Sequence, residues 1–369
     1  MNHVHDPVTS TFPPEVTSSI FLACIDEAPS YPFTNSTLWR IANIPWTLGA
    51  VCRQWRQIVW ATPELWTLIR ILVTSLQPER LVYMRERLLR SGQIPLQLQI
   101  TPTTYEDGLD IQTVFDFLHE RNRTWDSLHI KLLDINSQDI QCDPQAFSKL
   151  RVLRLHNVST ISITQDIFWR ESVKPEPEVV ELRGFSPHGL NIDWKNVKDF
   201  VAESLPIPRF LEVLQKAPKL RRCYLSTKSR SHELEPSPAV ASIYAHNKLQ
   251  ELSIEGFDDK KMSDLLDNAC FPSLSHLSFD HMHYRLPTNV ILSFIRRSSC
   301  LLKQLTLLDA DLGNSIIPLL RELPSLRHLH LSPRYGYNFS PKELFKVLAS
   351  SSIPDVINKY LKQNGVISS

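Results

Sequence analysis

The chain has 369 residues, and its 40 Lys and Arg almost balance its 39 Asp and Glu, so no net field recruits nucleic acid or an anionic membrane surface. That length suits one large domain or a small module beside a larger one. No apolar run reaches bilayer length, and Met1 to Ser10 lack the basic start and apolar stretch of a leader. The expectation is a soluble intracellular protein, cytoplasmic and/or nuclear. Six scattered cysteines, Cys24, Cys52, Cys142, Cys223, Cys270 and Cys300, form no CxxC pair and read as buried free thiols. With 26 Pro and only 9 Gly, there is no glycine cluster to cradle a phosphate, and no cofactor is expected.

Residues 1–70 read as a small helical module. Pro13-Pro14-Glu15 marks a helix start, and Val16, Ile20 and Phe21 continue its apolar face. From Asp26 to Trp46, Pro29, Pro32 and Pro45 with Ser30, Asn35 and Ser36 predict an irregular loop. A second helix follows, with Leu48, Ala50, Val51, Cys52, Trp55, Ile58 and Val59 as its stripe, ending near Ala61. Thr62-Pro63-Glu64 then offers a cap, a first-turn proline and an acid to a further helix carrying Leu65, Trp66 and Ile69.

A helical connector over 71–93 places Leu81, Met84, Leu88 and Leu89 of the stretch Glu79 to Arg90 on one face. Pro95 to Ile100 then alternates as a strand does. From 94 onward a short unit recurs, apolar at positions 1, 4, 6 and often 9. The clearest copies are Leu150, Leu153, Leu155, Val158; Leu249, Leu252, Ile254, Phe257; Leu274, Leu277, Phe279, Met282; Leu302, Leu305, Leu307, Ala310; and Leu326, Leu329, Leu331. Weaker copies fall at Trp125, Leu128, Ile130, Leu133, then at Val180, Leu182, Phe185, at Val197, Phe200, Ala202 and at Leu220, Cys223, Leu225. Fourth-position residues 128, 153, 180, 200, 223, 252, 277, 305 and 329 are 20 to 29 residues apart, the period of leucine-rich repeats. Each unit has one apolar edge that it can bury only by stacking on the next. The stretches Arg209 to Lys216, Ser263 to Ala269 and Val290 to Arg297 supply helices for an outer layer. Position 9 lacks the usual Asn, so the repeats are irregular, with an apolar spine. The expected fold class is α/β, a small all-helical module followed by an irregular solenoid over 94–369 with parallel strands on its concave face.

The residues Phe12-Pro13, Ile20-Phe21, Val51-Cys52-Arg53-Gln54-Trp55 and Leu65-Trp66 resemble the F-box family, where an LP dipeptide precedes an IF pair, a VCxxW helix and an LW pair. The form of Ala61 to Trp66 is similar to fungal, basidiomycete-like members. Phe12 replaces the usual Leu, and about twenty extra residues separate the first two helices. The resemblance implies a module that docks a Skp-type adaptor and through it a cullin ubiquitin ligase. The residues implied are Phe12, Pro13, Val16, Ile20, Phe21, Leu48, Val51, Cys52, Trp55, Ile58, Leu65 and Trp66. A second reading keeps these helices only as the cap that any repeat array needs.

Catalytic motifs are weak. Gly184 to Gly189 approximates a nucleophile elbow around Ser186, but its second Gly comes late and Pro187 stands where a helix amide should assist. His276, His328 and His330, like His281 and His283, lack a full ligand set, so no metal is expected. The expected role is a non-enzymatic substrate receptor that binds a protein target, not nucleic acid or membrane. The target-binding candidates occupy non-core strand positions: Arg154, His156, Arg183, Arg222, Tyr224, Glu251, Glu255, His276, Asp280, His328 and His330. Glu181, Ser253 and Ser278 lie among them. The series runs from basic in the early repeats to acidic and histidine-bearing in the later ones.

Overall fold

The computed structural model describes residues 6–26, 35–73, 78–102, 124–132, 144–157, 174–227, 243–280, 287–310 and 316–333. Two compact units divide the chain, the first holding residues 1–154 and 168–175, the second 155–167 and 176–369. The positions Leu133, Val158, His281, Met282 and His283 and the stretch Glu343 to Ala349 lie outside the described residues.

The first unit opens with helices α1 (Pro7–Thr11), α2 (Pro14–Asp26), α3 (Asn35–Val51) and α4 (Arg53–Trp60), then a single 3-10 turn, Pro63–Trp66. Most of the expected loop at Asp26 to Trp46 is thus helical. Leu38, Ile41, Ala42 and Ile44 already carry a helical repeat, and Pro45 costs α3 one backbone bond without ending it. The ring of the adjacent Trp46 packs edge-on to Trp66 at 4.9 Å, which holds that turn in place.

The expected continuous stripe from Leu48 to Val59 breaks at Cys52. Its backbone is extended (φ −154°, ψ 174°), and its sulfur accepts the Trp55 N–H at 3.4 Å as the N-cap of α4. Arg56 Nε donates to the carbonyl of Gly49 at 2.8 Å, satisfying an acceptor left at the end of α3. Thr62 does not cap the next turn, because its hydroxyl donates back to Ile58 O at 2.8 Å. Phe21, Ile58, Val59, Leu65 and Trp66 form the core of these helices. The Trp66 indole N–H reaches Val59 O at 2.9 Å.

Ile69 belongs to a strand, not a helix. The run Leu-Ile-Arg-Ile-Leu-Val forms β1 (Leu68–Val73), whose alternation and β-branched content suit a half-buried strand. Residue 70 therefore lies inside a strand, and the parallel array starts earlier than 94. After α5 (Pro78–Arg90), β1 pairs in parallel with β2 (Leu96–Pro102), and β2 with β3 (Trp125–Leu132). On α5, Met84 and Leu88 are buried, but Leu89 faces solvent because Arg87 takes the inward position. Next comes β4 (Val152–Asn157), within which the two units meet in sequence.

The second unit continues with β5 (Val179–Arg183), β6 (Asp199–Glu203), helix α6 (Ile207–Lys216), β7 (Arg222–Ser226), β8 (Tyr244–Ala245) and β9 (Glu251–Glu255). Then follow α7 (Asp259–Asp267), β10 (Ala269–Cys270), β11 (His276–Asp280), α8 (Thr288–Ser298), β12 (Gln304–Ala310), α9 (Ile316–Arg321) and β13 (His328–Pro333). The short β8 and β10 pair separately, and the other eleven strands belong to parallel ladders that follow chain order. The expected helix at Ser263 to Ala269 starts earlier and stops at Asp267, since Ala269 enters β10.

The repeat positions explain this order. Leu153, Leu155, Val180, Leu182, Phe200, Ala202, Cys223, Leu225, Leu252, Ile254, Leu277, Phe279, Leu305, Leu307 and Leu329 are buried. Each pair on a strand points to one face and stacks in register, as in Cys223 beside Leu252 beside Leu277 beside Leu305. Helices α6, α7 and α8 bury Phe210 and Leu214, Met262 and Leu265, and Ile291 and Phe294. Gly256 follows β9 with φ +70°. A Cβ there would meet Thr227 Oγ1 at 3.0 Å, so the strand end is closed by a residue without a side chain. Cys223 and Cys300 are buried, while Cys24 is exposed on the outer side of α2 and Cys52 and Cys270 are half-buried.

Candidate docking and recognition surfaces

The N-terminal helices sort the expected adaptor-binding residues into two groups. Phe21, Ile58, Leu65 and Trp66 are buried in the helical core, and Leu48, Cys52 and Trp55 are half-buried. They hold the shape of the surface and do not themselves present it. Phe12, Val16, Ile20 and Val51 are 44, 42, 40 and 53 % exposed, with Pro13 exposed as well. Val16 and Ile20 are one helical turn apart on α2 and share a face, with Phe12 just before the helix. Together these side chains leave a strip of large apolar groups exposed to water.

Two ties the sequence reading did not identify hold these helices. Asp6 caps α1, accepting the backbone N–H groups of Val8 and Thr9 at 3.2 and 3.3 Å. Its other oxygen accepts the Trp55 indole N–H at 2.8 Å and the Cys52 thiol at 3.6 Å. The Thr9 hydroxyl, foremost among these donors, holds the Asp6 carboxyl below its ordinary pKa. The signal was readable as Asp followed by Pro at the first helical position. The second tie is α5. Arg90 stacks over Trp60 at 4.2 Å and Trp66 at 4.9 Å, while buried Arg87 lies over Trp66 at 5.7 Å. Burial lowers the Arg87 pKa, and its guanidinium donates to the Tyr83 hydroxyl at 3.1 Å.

The expected target-binding residues fall on the sheet face opposite the core. In the second unit they form in-register rows. One runs Asp199, Arg222, Glu251, His276, Gln304, His328; the next runs Glu181, Val201, Tyr224, Ser253, Ser278, Thr306, His330. A third begins Arg183, Glu203, Ser226, Glu255, Asp280. Arg222, His328 and His330 are exposed, and His156, Arg183, Tyr224, Glu251, His276 and Asp280 are half-buried. Arg154, also half-buried, belongs to the first unit. Glu255 does not join the exposed set: it is buried, as is Ser226, its neighbour in the row.

Arg222 pairs with both Asp199 oxygens at 2.5 and 2.7 Å, which raises the Arg222 pKa. Glu181, 1 % exposed, meets His156 Nε2 and Arg183 Nε, each at 2.8 Å. Burial outweighs these partners and raises the Glu181 pKa. Ser186 accepts the His188 N–H at 3.4 Å and caps a single 3-10 turn. Among the described residues no three His, Cys, Asp or Glu side chains converge as a metal site, and no helix is long and apolar enough to cross a membrane.

No family model matches the chain, and no curated protein does either. Among solved structures, a structural-genomics target from Bacteroides fragilis is similar to it at 14% identity and a TM-score of 0.35, over 77% of this chain and 72% of that one. The fold is that of a mixed α/β protein with parallel, repeat-ordered strands.

Proposed function

We propose that the chain is an F-box-like substrate receptor, in which the N-terminal helices dock a Skp-type adaptor of a cullin ubiquitin ligase and the strand face binds a protein target. The observation that carries this reading is the exposed strip of Phe12, Val16 and Ile20, with Val51, over a well-filled core. A helical cap serving only the repeats would turn such groups inward. The strand rows supply polar, half-buried side chains in fixed order, suited to a polar protein ligand. A cytoplasmic or nuclear location goes with this role.

One observation favours the scaffold reading, with the helices as a cap only: α5 clasps them through Arg87 and Arg90. Co-expression of the full chain with a Skp-type adaptor separates the two. Docking gives a stoichiometric complex that a Val16→Asp, Ile20→Asp double variant loses while its melting temperature stays near wild type, since exposed positions contribute within about 0.5 kcal/mol each. Absence of a complex with the wild-type chain would establish the cap reading instead.

A further inference from the structure

In the second unit, the four residues that lead into each of β7, β9, β11, β12 and β13 follow one pattern. They read Pro218-Lys219-Leu220-Arg221, Asn247-Lys248-Leu249-Gln250, Pro272-Ser273-Leu274-Ser275, Cys300-Leu301-Leu302-Lys303 and Pro324-Ser325-Leu326-Arg327. The third residue of each is a buried leucine that anchors the turn in the core, and the residues on either side of it are exposed or half-buried. The fourth residues are joined from strand to strand. The Gln250 N–H donates to Arg221 O, that of Ser275 to Gln250 O, that of Lys303 to Ser275 O and that of Arg327 to Lys303 O, all at 2.8 or 2.9 Å. Arg221, Gln250, Ser275, Lys303 and Arg327 therefore stand in one line, with about 4.8 Å from strand to strand.

None of these turn residues is acidic, whereas Lys219, Arg221, Lys248, Lys303 and Arg327 are exposed cations. Lys219 donates to the side-chain oxygen of Asn196 at 2.7 Å, a neutral partner that leaves its charge uncompensated. The side chains of Arg221, Lys248, Lys303 and Arg327 make no ion pair or hydrogen bond among the described residues. Acids that border the turns are engaged with other cations: Asp199 holds Arg222 at 2.5 Å, Glu251 adds to the field on Arg222, and Glu322 holds Arg296 at 3.0 Å. Asp267, at the end of α7, is exposed. The opposite, exit ends of the strands carry Asp258, Asp259, Asp280 and Asp309 with Lys260 and Lys261. The second unit is thus polarised along its strands, with a cationic rim where they begin.

The cations fall into two groups, Lys219, Arg221 and Lys248 on the earlier strands and Lys303 and Arg327 on the last two, with neutral Gln250, Ser273 and Ser275 between them. Arg221 and Lys303 are three strands apart, about 14 Å, which roughly four extended residues span. Beside the second group, Leu301 is 68 % exposed. A nucleic-acid strand, evenly charged along its backbone, is matched by an unbroken cationic stripe and gains nothing from a bare leucine. A peptide can place acids at two points and an apolar side chain at a third. We propose that this rim binds an acidic segment of a protein partner, its carboxylates on the two cationic groups and an apolar side chain against Leu301. The exposed cations set the sign of the partner and speed its approach, while the apolar contact fixes its register. The rim belongs to the second unit and adaptor docking to the first, so a failure of either leaves the other standing.

Fluorescence anisotropy of a short labelled peptide of glutamates around one leucine, titrated with the full chain, tests it beside a lysine-for-glutamate peptide and a single-stranded DNA oligonucleotide. Saturable binding of the acidic peptide is expected, falling steeply with added salt, with weaker binding of DNA and none of the lysine peptide. Lys303→Glu should weaken the acidic peptide by about tenfold, through one lost attraction and one new repulsion. Lys260→Glu makes the same change in net charge at the exit ends and should leave the affinity within about twofold. Leu301→Ser should weaken the leucine-bearing peptide and leave an all-glutamate peptide unchanged. All three positions are exposed or lie in turns, so melting temperatures should stay near wild type. No saturable binding to the wild type, DNA binding as tight as the acidic peptide, or an equal loss in Lys303→Glu and Lys260→Glu would overturn the proposal. Unchanged binding in Leu301→Ser would overturn its apolar contact.

Discussion

The face of the sheet that turns away from the core differs between the two units. On β1 to β3 and the first half of β4 it presents Arg70, His129, Lys131 and Arg154 with neutral Gln97, Gln99, Thr101 and Ser127. From β5 onward it presents Glu181, Asp199, Glu203, Glu251, Glu255 and Asp280 against two arginines, Arg183 and Arg222, with histidines at the end. Both units rest on the same buried alternation, so the core does not determine this difference. A strand needs its fourth and sixth positions apolar to stack; the positions between them face neighbours from other repeats and are free to vary in charge. The charge of this face is therefore carried by positions that the repeat does not constrain.

Three changes would break or sharpen this contrast. The largest effect is expected from Trp66→Ala, which empties the helical core and removes the bond to Val59 O. A cost of about 3 to 5 kcal/mol is expected. Hydrogen exchange should show protection falling in the first unit while β9, β11 and β12 keep theirs. An equal fall in both would mean that the units unfold as one, and the comparison would lose its basis.

Glu181→Gln has a smaller effect and acts through pH. The folded carboxyl titrates above its ordinary value of 4.5 because burial disfavours its charge. Between the ordinary and the raised value, the folded chain keeps a proton that the unfolded chain has released. Stability from this group is therefore fully present below the ordinary value and falls as pH rises through the raised one. Denaturant titrations across mildly acidic to neutral pH should show a shallower decline in the variant. An unchanged decline would remove Glu181 as its source. The smallest effect belongs to Arg222→Ala. Its pair with Asp199 is well formed but exposed, so the expected loss is about 1 kcal/mol or less and should shrink further in high salt.

Much of the array was legible in the sequence because burial imposes a period. Even the weak copies at Trp125, Val180, Phe200 and Cys223 fall on strands with their fourth and sixth positions buried. What escaped was local or tertiary. Pro45 suggested a loop, yet α3 tolerates it because rings from distant residues brace the turn. β1 was read as helix because Leu65-Trp66 runs directly into it, and only pairing with β2 reveals the strand. Arg154 lies in a clear copy of the repeat, whereas His129 lies in a weak one and Arg70 and Gln99 precede the first copy that the period reveals. Exposure was the least legible property: Phe21 and Ile20 are neighbours in one motif, yet one is buried and the other faces water, as the helix turns them roughly 100° apart.

The chain-order ladders also bear on how this protein is made. In the second unit Leu277 pairs with Leu252 and Leu305 with Leu277, partners only 25 and 28 residues apart. A parallel sheet ordinarily folds slowly because its partners are far apart along the chain. Here each strand emerging from the ribosome finds its ladder already synthesised immediately before it, so the second unit can grow from its amino end by adding one repeat at a time, without waiting for the carboxyl terminus.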